Sequence, residues 1–285
     1  MVFAFVFALG FAVALTLIVR ASGLRVRREQ RQPWPLVLPA VFAALAVGAW
    51  WFVTRGSTSE ERLVNFVVLP SPSEVFGSFP RLHSEQGLVR SAWVSFMRVN
   101  LGVALGVLVA VPLGVYMATF PAIAAFFKPL SIVSAYLPTV VFVPLTVAWW
   151  GATEAQKVGF LALACFVALL PLVVKAIADV PETFLDVAVT KGASQWQLVR
   201  HVLFPVAFAD IWDHLRGVYG VGWGWIIMAE VIAAEAGLGF LLNVSDKRNK
   251  AAFFAVILVI LLIAFACDQI WRLAGRFLFP YRRRS

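Results

Sequence analysis

Charge is scarce in this sequence. Only 14% of its 285 residues are Asp, Glu, Lys or Arg, while 61% are hydrophobic and the mean hydropathy is +0.87. Soluble domains carry about 25% charged and about 45–50% apolar residues. A chain this poor in charge cannot cover itself with polar surface, which excludes a large soluble catalytic domain. Cysteine is nearly absent. Cys165 and Cys267 both lie in apolar runs, so neither a disulfide framework nor a cysteine metal cluster is available. His83, His201 and His214 are scattered without metal-ligand spacing. Acidic residues are outnumbered, 15 against 24 Lys and Arg, for a formal net charge of +9. In a soluble protein that excess would point to nucleic acid. Here it fits basic loops facing cytoplasm and anionic lipid, and no nucleic-acid partner is expected. The short period-2 segments of a membrane β-barrel are also missing.

What the chain has instead is long apolar runs. A spanning helix needs roughly 20 apolar residues, and seven stretches qualify: 2–19, 36–53, 93–119, 129–150, 157–177, 208–234 and 251–273. Lipid admits only structures that satisfy their own backbone, so the expected fold is all-α, a polytopic membrane helix bundle of about seven transmembrane helices. Met1-Val2-Phe3 places no positive charge before the first run, so that run reads as a retained helix rather than a signal peptide. The chain divides into 1–35, an extra helix with a basic linker; 36–92, a span and polar loop; 93–273, the main body; and 274–285, a basic tail. Arg20, Arg25, Arg27, Arg28 and Arg31 follow the first run, and Arg272, Arg276 and Arg282–Arg284 close the last. Both groups belong in the cytoplasm, which puts the amino terminus and the 54–92 loop outside and the 178–207 loop inside. The loop at 240–250, with Lys247, Arg248 and Lys250, then lies outside against the charge rule.

The most informative segment is the polar loop at 179–205. Asp179 followed by Glu182, with Pro181 between, predicts a helix start, and Gly192 predicts its end in a left-handed turn. Ser194 with Gln197 repeats the capping pattern and starts a second short helix, which Pro205 ends or bends. Neither helix is long or apolar enough to span. Two readings fit such an angled pair: a docking element for a partner, or an amphipathic hairpin resting on lipid.

The residues of this loop carry a resemblance. The run Asp186-Val187-Ala188, Gly192-Ala193-Ser194, Trp196 and Phe204-Pro205 is similar to the cytoplasmic coupling-loop motif of binding-protein-dependent ABC transporter permeases, Glu-Ala-Ala, three residues, Gly, nine residues, Ile, one residue, Leu-Pro. Within that superfamily the chain most resembles the nitrate, sulfonate, taurine and bicarbonate type over about 36–280. Supporting strings are Leu69-Pro70-Ser71-Pro72-Ser73, Arg98-Val99, Pro112-Leu113-Gly114, Pro138, Pro144-Leu145, Trp149, Gly151, Glu154, Lys157, Leu215-Arg216, Ala229-Glu230, Gly237-Leu238-Gly239 and Asp268. Departures include Asp186 for the motif glutamate, Val187 for its first alanine, Lys191 before the glycine, and Phe204 in the final pair. Ala135-Tyr136 stands where relatives carry Arg-Pro, which weakens the case for a small oxyanion as substrate.

The resemblance implies a non-catalytic, multi-pass subunit of the bacterial inner membrane that forms a solute pathway. Its partners would be a second copy of itself, a pair of soluble ATPase subunits docked on the coupling loop, an extracytoplasmic solute-binding protein and membrane lipid. ATP and Mg would sit on the ATPase, since no Gly-x-x-x-x-Gly-Lys-[Ser/Thr] loop occurs in this chain. Substrate would be a small polar solute, either an organic or inorganic anion or a vitamin precursor. Candidate pathway residues are Pro138 and Pro144, which would break the fourth span; Trp223, mid-span; and Glu230, which reads either as a gate or as a paired structural carboxylate. Gly102 with Gly106, and Gly217, Gly220 and Gly224, read as helix-packing positions. Two other classes compete. A secondary transporter would need its own ion-coupling carboxylates, for which the spans offer chiefly Glu230 and Asp268; an intramembrane enzyme would need a nucleophile–base or metal constellation, and no such set occurs.

Overall fold

The computed structural model describes residues 34–56, 61–136 and 138–281, together with Ala12 and Thr16. The rest of the run at 2–19, the arginines of 20–31 and Arg282–Arg284 lie outside the described residues. Every regular element among the described residues is helical: α1 Trp34–Thr54, α2 Pro72–Gly77, α3 Phe79–Ser84, α4 Leu88–Thr119, α5 Pro121–Tyr136, a 3-10 turn Thr139–Val141, α6 Phe142–Trp150, α7 Glu154–Ala178, α8 Glu182–Thr190, α9 Gln195–Leu198, a π segment Val199–Leu203, α10 Phe204–Ala233, α11 Leu238–Arg248 and α12 Lys250–Leu278. The helical membrane bundle expected from hydropathy is therefore present. Among the described residues, four helices are long and apolar enough to cross a membrane, within α1, α4, α7 and α12. The first half of the long α10 carries Asp210, Asp213, His214 and Arg216. The expected span at 129–150 is broken. α5 ends at Tyr136, and Pro138 caps the 3-10 turn that leads into α6. Pro144 does not share in the break, because it falls in the first turn of α6, where the missing N–H costs no hydrogen bond.

The chain forms two compact units, Met1–Glu85 with Ser245–Ala255, and Gln86–Val244 with Val256–Ser285. In the first, Trp50 Nε1 on α1 donates to Pro70 O at 2.8 Å. The Leu69-Pro70-Ser71-Pro72-Ser73 string ends in a capping box: Ser71 Oγ accepts from the Glu74 N–H, and the Glu74 carboxylate accepts from the Ser71 N–H at 2.7 Å. Pro72 thus begins a helix, where its ring is tolerated, instead of only blocking one. Arg62 closes the turn with two bonds to Glu74, at 2.9 and 3.2 Å.

The second unit is built on α4 packed along α7, with α10 against both. Glycine makes the first contact possible. A Cβ on Gly102 would lie 2.7 Å from Leu161, on Gly106 2.7 Å from Cys165 and 2.8 Å from the Ala162 carbonyl, and on Gly114 2.7 Å from Val173. These three positions form one stripe along α4, and small residues there let the backbones meet. The other glycine set behaves differently. Gly217, Gly220 and Gly224 on α10 have nothing within 4 Å of an added Cβ, so they pack against no helix among the described residues. Val143 of α6, Phe160 of α7 and Ala229 of α10 form a dry cluster that holds the fragment after the break.

Two predictions follow from these contacts. Gly106→Ala overpacks against a backbone carbonyl and should cost about 1–3 kcal/mol, read as a lower thermal midpoint in detergent, whereas Gly220→Ala should be neutral or stabilising. The second concerns acid. The Arg62 guanidinium, aided by the Ser71 backbone N–H, holds the Glu74 carboxyl from its ordinary 4.5 down to about 2. A carboxyl depressed by folding stabilises above its ordinary value and loses that contribution as pH falls from about 4.5 towards about 2. Thermal midpoints measured between pH 6 and pH 3 should therefore drop less in Glu74→Gln than in the wild-type chain.

Candidate functional site: an exposed helical loop and a buried ion-pair cluster

The loop between α7 and α10 is ordered by short-range bonds. α8 ends in a Schellman motif: the Ala193 N–H donates to Ala188 O at 3.1 Å and the Gly192 N–H to Val189 O at 2.8 Å. Gly192 takes φ +81°, where a side chain would be strained. The spacing from Ala188 to Gly192-Ala193 is thus the spacing this closure demands, as the left-handed reading of Gly192 expected. Ser194 and Gln197 then form the second capping box, with the Ser194 N–H donating to Gln197 Oε1 at 2.8 Å.

Two details differ from the sequence reading. Asp179 is not the cap of α8; it ends α7 in a helical conformation, its N–H bound to Lys175 O at 2.9 Å, and Pro181 takes the cap position. A capping side chain needs extended backbone, and here that geometry falls just before Glu182. Pro205 likewise does not end the second helix. α9 runs through the π segment directly into α10, and the Phe204 N–H reaches back five residues to Val199 O. The wider turn brings in a residue that has no N–H of its own to place.

No residue of α8 is buried. Phe184, Val187, Val189 and Trp196 are large apolar side chains at least half exposed, with Asp186 exposed among them. One face of Trp196 is taken: its ring stacks on Tyr116 at the end of α4, centroids 6.4 Å apart. A short, closed helix with an apolar skin and two acidic groups, Glu182 and Asp186, leads into the segment anchored by this stack. It presents itself as a rigid object.

At the far end of α7 and α10 lies a buried polar cluster. The span from Phe204 to Glu230 is about 40 Å of helix. Arg98 of α4 is its centre. Nε and Nη2 grip the Glu154 carboxylate at the start of α7, Nε at 2.7 Å to Oε2. Nη1 donates to Glu230 Oε1 at 2.7 Å and to the Ala236 carbonyl at 2.7 Å. The Arg98 side chain is 4% exposed and Glu230 is fully buried, while Glu154 reaches outward. Glu230 is satisfied on every side. Ser95 Oγ lies 2.8 Å from both carboxylate oxygens, and the Gly239 N–H donates to Oε2 at 2.9 Å. Ser95 Oγ in turn accepts from the Leu238 N–H at 2.9 Å. The carboxylate therefore sits on the first turn of α11, where free N–H groups and the helix dipole favour an anion. Glycine again sets the fit: a Cβ on Gly237 would come within 2.5 Å of the Glu230 carboxylate, and on Gly239 within 2.6 Å of its Cβ. Buried Lys157 adds a second cation, its Nζ donating to Ala152 O and Thr153 O at 3.2 and 3.1 Å.

The other singled-out residues fall elsewhere. Trp223 is buried within the second unit, and Pro138 and Pro144 are exposed at the broken segment. Asp268 pairs with Arg216, Nε to Oδ1 at 2.6 Å and Nη2 to Oδ2 at 2.8 Å. Among the described residues no three His, Cys, Asp or Glu side chains are grouped to hold a metal. Sequence reasoning noted Arg98, Glu154, Lys157 and Gly237-Leu238-Gly239 as separate strings and did not join them. The available signal was charge in an apolar setting: Arg98 and Glu230 each interrupt a long run and are expensive alone.

Removing one partner of a buried pair strands the other, at a cost of about 3–5 kcal/mol. Arg98→Met and Glu230→Gln should each lower the thermal midpoint sharply, and the double variant should lose less than the sum. Additive losses in that cycle would mean the pair does not couple.

Comparison with known proteins agrees with this layout. The family model for the binding-protein-dependent transport system inner membrane component matches 110–277. The chain is 28% identical over 264 residues to the taurine transport system permease protein of Escherichia coli, covering 89% of this chain and 94% of that one. It is 30% identical over 231 residues to the riboflavin transport system permease protein of Chloroflexus aurantiacus, covering 81% and 84%. Among solved structures, the inward-facing MetNI methionine ABC transporter shares the fold with a TM-score of 0.59 at 18% identity, over 68% of this chain and 95% of that one. A loop closed for exposure at one end of a lipid-suited bundle, together with a family match over more than half of the chain, has one reading: the protein belongs to the binding-protein-dependent transport system inner membrane components, the multi-pass permease subunits of ABC importers.

Proposed function

We propose that the α8–α9 loop is the surface on which a separate pair of soluble ATPase subunits docks, and that two copies of this chain form the solute pathway between them. The ATPases hold ATP and Mg, and an extracytoplasmic solute-binding protein delivers substrate at the opposite face. The observation that carries this reading is the loop itself: exposed Phe184, Asp186 and Val187 on α8, which Gly192 closes, and exposed Trp196 on α9, which runs without a break into α10. A push on α8 would pass through the π segment into a 30-residue helix that ends at Glu230 and the Arg98 cluster. Rigid-body movement of packed helices is how such pathways alternate their access.

The pathway wall is assigned to the break around Pro138, where a 3-10 turn replaces regular helix. Irregular backbone at membrane depth is tolerated where it lines a cavity. Trp223 and Glu230 are buried inside this conformation and are assigned to holding it together. The substrate class is a small polar solute, an organic or inorganic anion or a vitamin precursor, in keeping with relatives named for taurine and riboflavin. Ala135-Tyr136, in place of Arg-Pro, removes a guanidinium suited to small oxyanions. By charge, the loop of 36–92 faces outward.

The test is uptake by the reconstituted importer. Asp186→Ala and Gly192→Val should leave insertion intact and reduce ATP-driven uptake about tenfold or more, the size of a lost coupling free energy. Gly192→Val should also retain less ATPase on purification. Normal uptake by both variants would sink the coupling assignment.

A further inference from the structure

Between α10 and α12 lies a cleft of about 250 Å³ that the transport reading does not use. Its walls are aromatic. Trp212 and Trp271 meet at 4.5 Å between ring centroids, Trp212 Nε1 donates to the Trp271 carbonyl at 3.3 Å, and Phe279 packs 6.2 Å from Trp212. Gly275 admits the indole, since a Cβ there would lie 2.9 Å from Trp212 Nε1. The rim is basic: Arg216, Arg272 and Arg276 line it, with Asp213 as its acid. Arg216 is tied to Asp268, so the three guanidinium groups face two carboxylates and the rim stays positive. Arg272 and Arg276 are exposed.

The cleft continues along α12. Leu261, Phe265, Asp268, Arg272, Arg276 and Phe279 recur at steps of three and four and so share one helix face. Leu261 is 60% and Phe265 62% exposed, and both belong to a candidate span. From Leu261 to Arg272 is about 16 Å of helix, close to half of a hydrocarbon core about 30 Å thick. An apolar strip one leaflet deep thus runs into an arginine-lined cleft with tryptophans at its mouth. Tryptophan prefers the headgroup level, and guanidinium groups bind phosphate in a fork.

We infer that this cleft binds the phosphate headgroup of an anionic phospholipid of the cytoplasmic leaflet, with an acyl chain along Phe265 and Leu261. Basic pockets between membrane helices recognise such lipids by the same chemistry. The site does not depend on the ATPase assignment. It would link α12 to the first half of α10, the part that leaves the coupling loop.

The test uses the full chain purified in mild detergent, with lipid retention read by native mass measurement against phosphatidylglycerol and phosphatidylcholine. Wild-type chain should keep phosphatidylglycerol and shed phosphatidylcholine. Arg272→Gln/Arg276→Gln should weaken phosphatidylglycerol binding about tenfold, equivalent to about 1.4 kcal/mol. Arg272→Gln alone, at an exposed position, should give part of that loss and guards against misfolding of the double variant. Lys247→Gln/Arg248→Gln removes as many exposed cations elsewhere and should bind as wild type. Equal retention of the two lipids, or unchanged retention in Arg272→Gln/Arg276→Gln, would overturn the site. So would displacement of the lipid by millimolar inorganic phosphate alone.

Discussion

The second unit depends on one buried guanidinium. Arg98 cannot be left unpaired in an apolar bundle, and it has three acceptors from three different parts of the chain: Glu154 opening α7, Glu230 closing α10, and the Ala236 carbonyl before α11. Each satisfies a group the others would leave stranded. Glu230 in turn supplies the acceptor for the Gly239 N–H of α11, and Ser95 serves both Glu230 and Leu238. Buried networks are stabilising when complete and costly when partial. This one is complete, so the ends of α4, α7 and α10 are held in a single arrangement.

The same three helices carry the constraint to their other end. α4 and α7 meet through Gly102, Gly106 and Gly114 with no room for a β-carbon, so the pair moves together or not at all. Trp196 stacks on the α4 residue Tyr116, while the loop joins α7 to α10. The loop is therefore tied to every helix that ends at Arg98. A Schellman motif closes α8, a capping box starts α9 and α9 continues into α10, so hydrogen-bonded turns rather than a flexible strap join the loop to α10.

Much of this was legible from residue type and spacing. The capping pair Ser194 and Gln197, the left-handed turn at Gly192 and the packing role of Gly102 and Gly106 are local or short-range consequences of side-chain size and hydrogen-bond reach, and the structure contains all of them. Reading failed where two local rules competed. Asp179 has the spacing of a cap, yet α7 extends far enough to claim it. Pro205 looks like a terminator, yet a π segment absorbs it. Gly217, Gly220 and Gly224 have the pattern of a packing stripe, but whether a partner exists is a property of the neighbours, and the described residues supply none.

What the sequence by itself determined is the solvent and the local grammar. A chain 61% hydrophobic with 14% charge lives in lipid as helices, because it lacks the alternation of a closed barrel, the other structure that satisfies a backbone there, and its turns follow from Gly, Pro and Ser at particular places. What only tertiary structure decided is which charges meet. Arg98, Glu154 and Glu230 lie 56 to 132 positions apart, and Arg216 lies 52 from Asp268. No periodicity links residues at such separations; the packing of helices brings them together, and the cost of an unpaired charge in an apolar interior keeps them there.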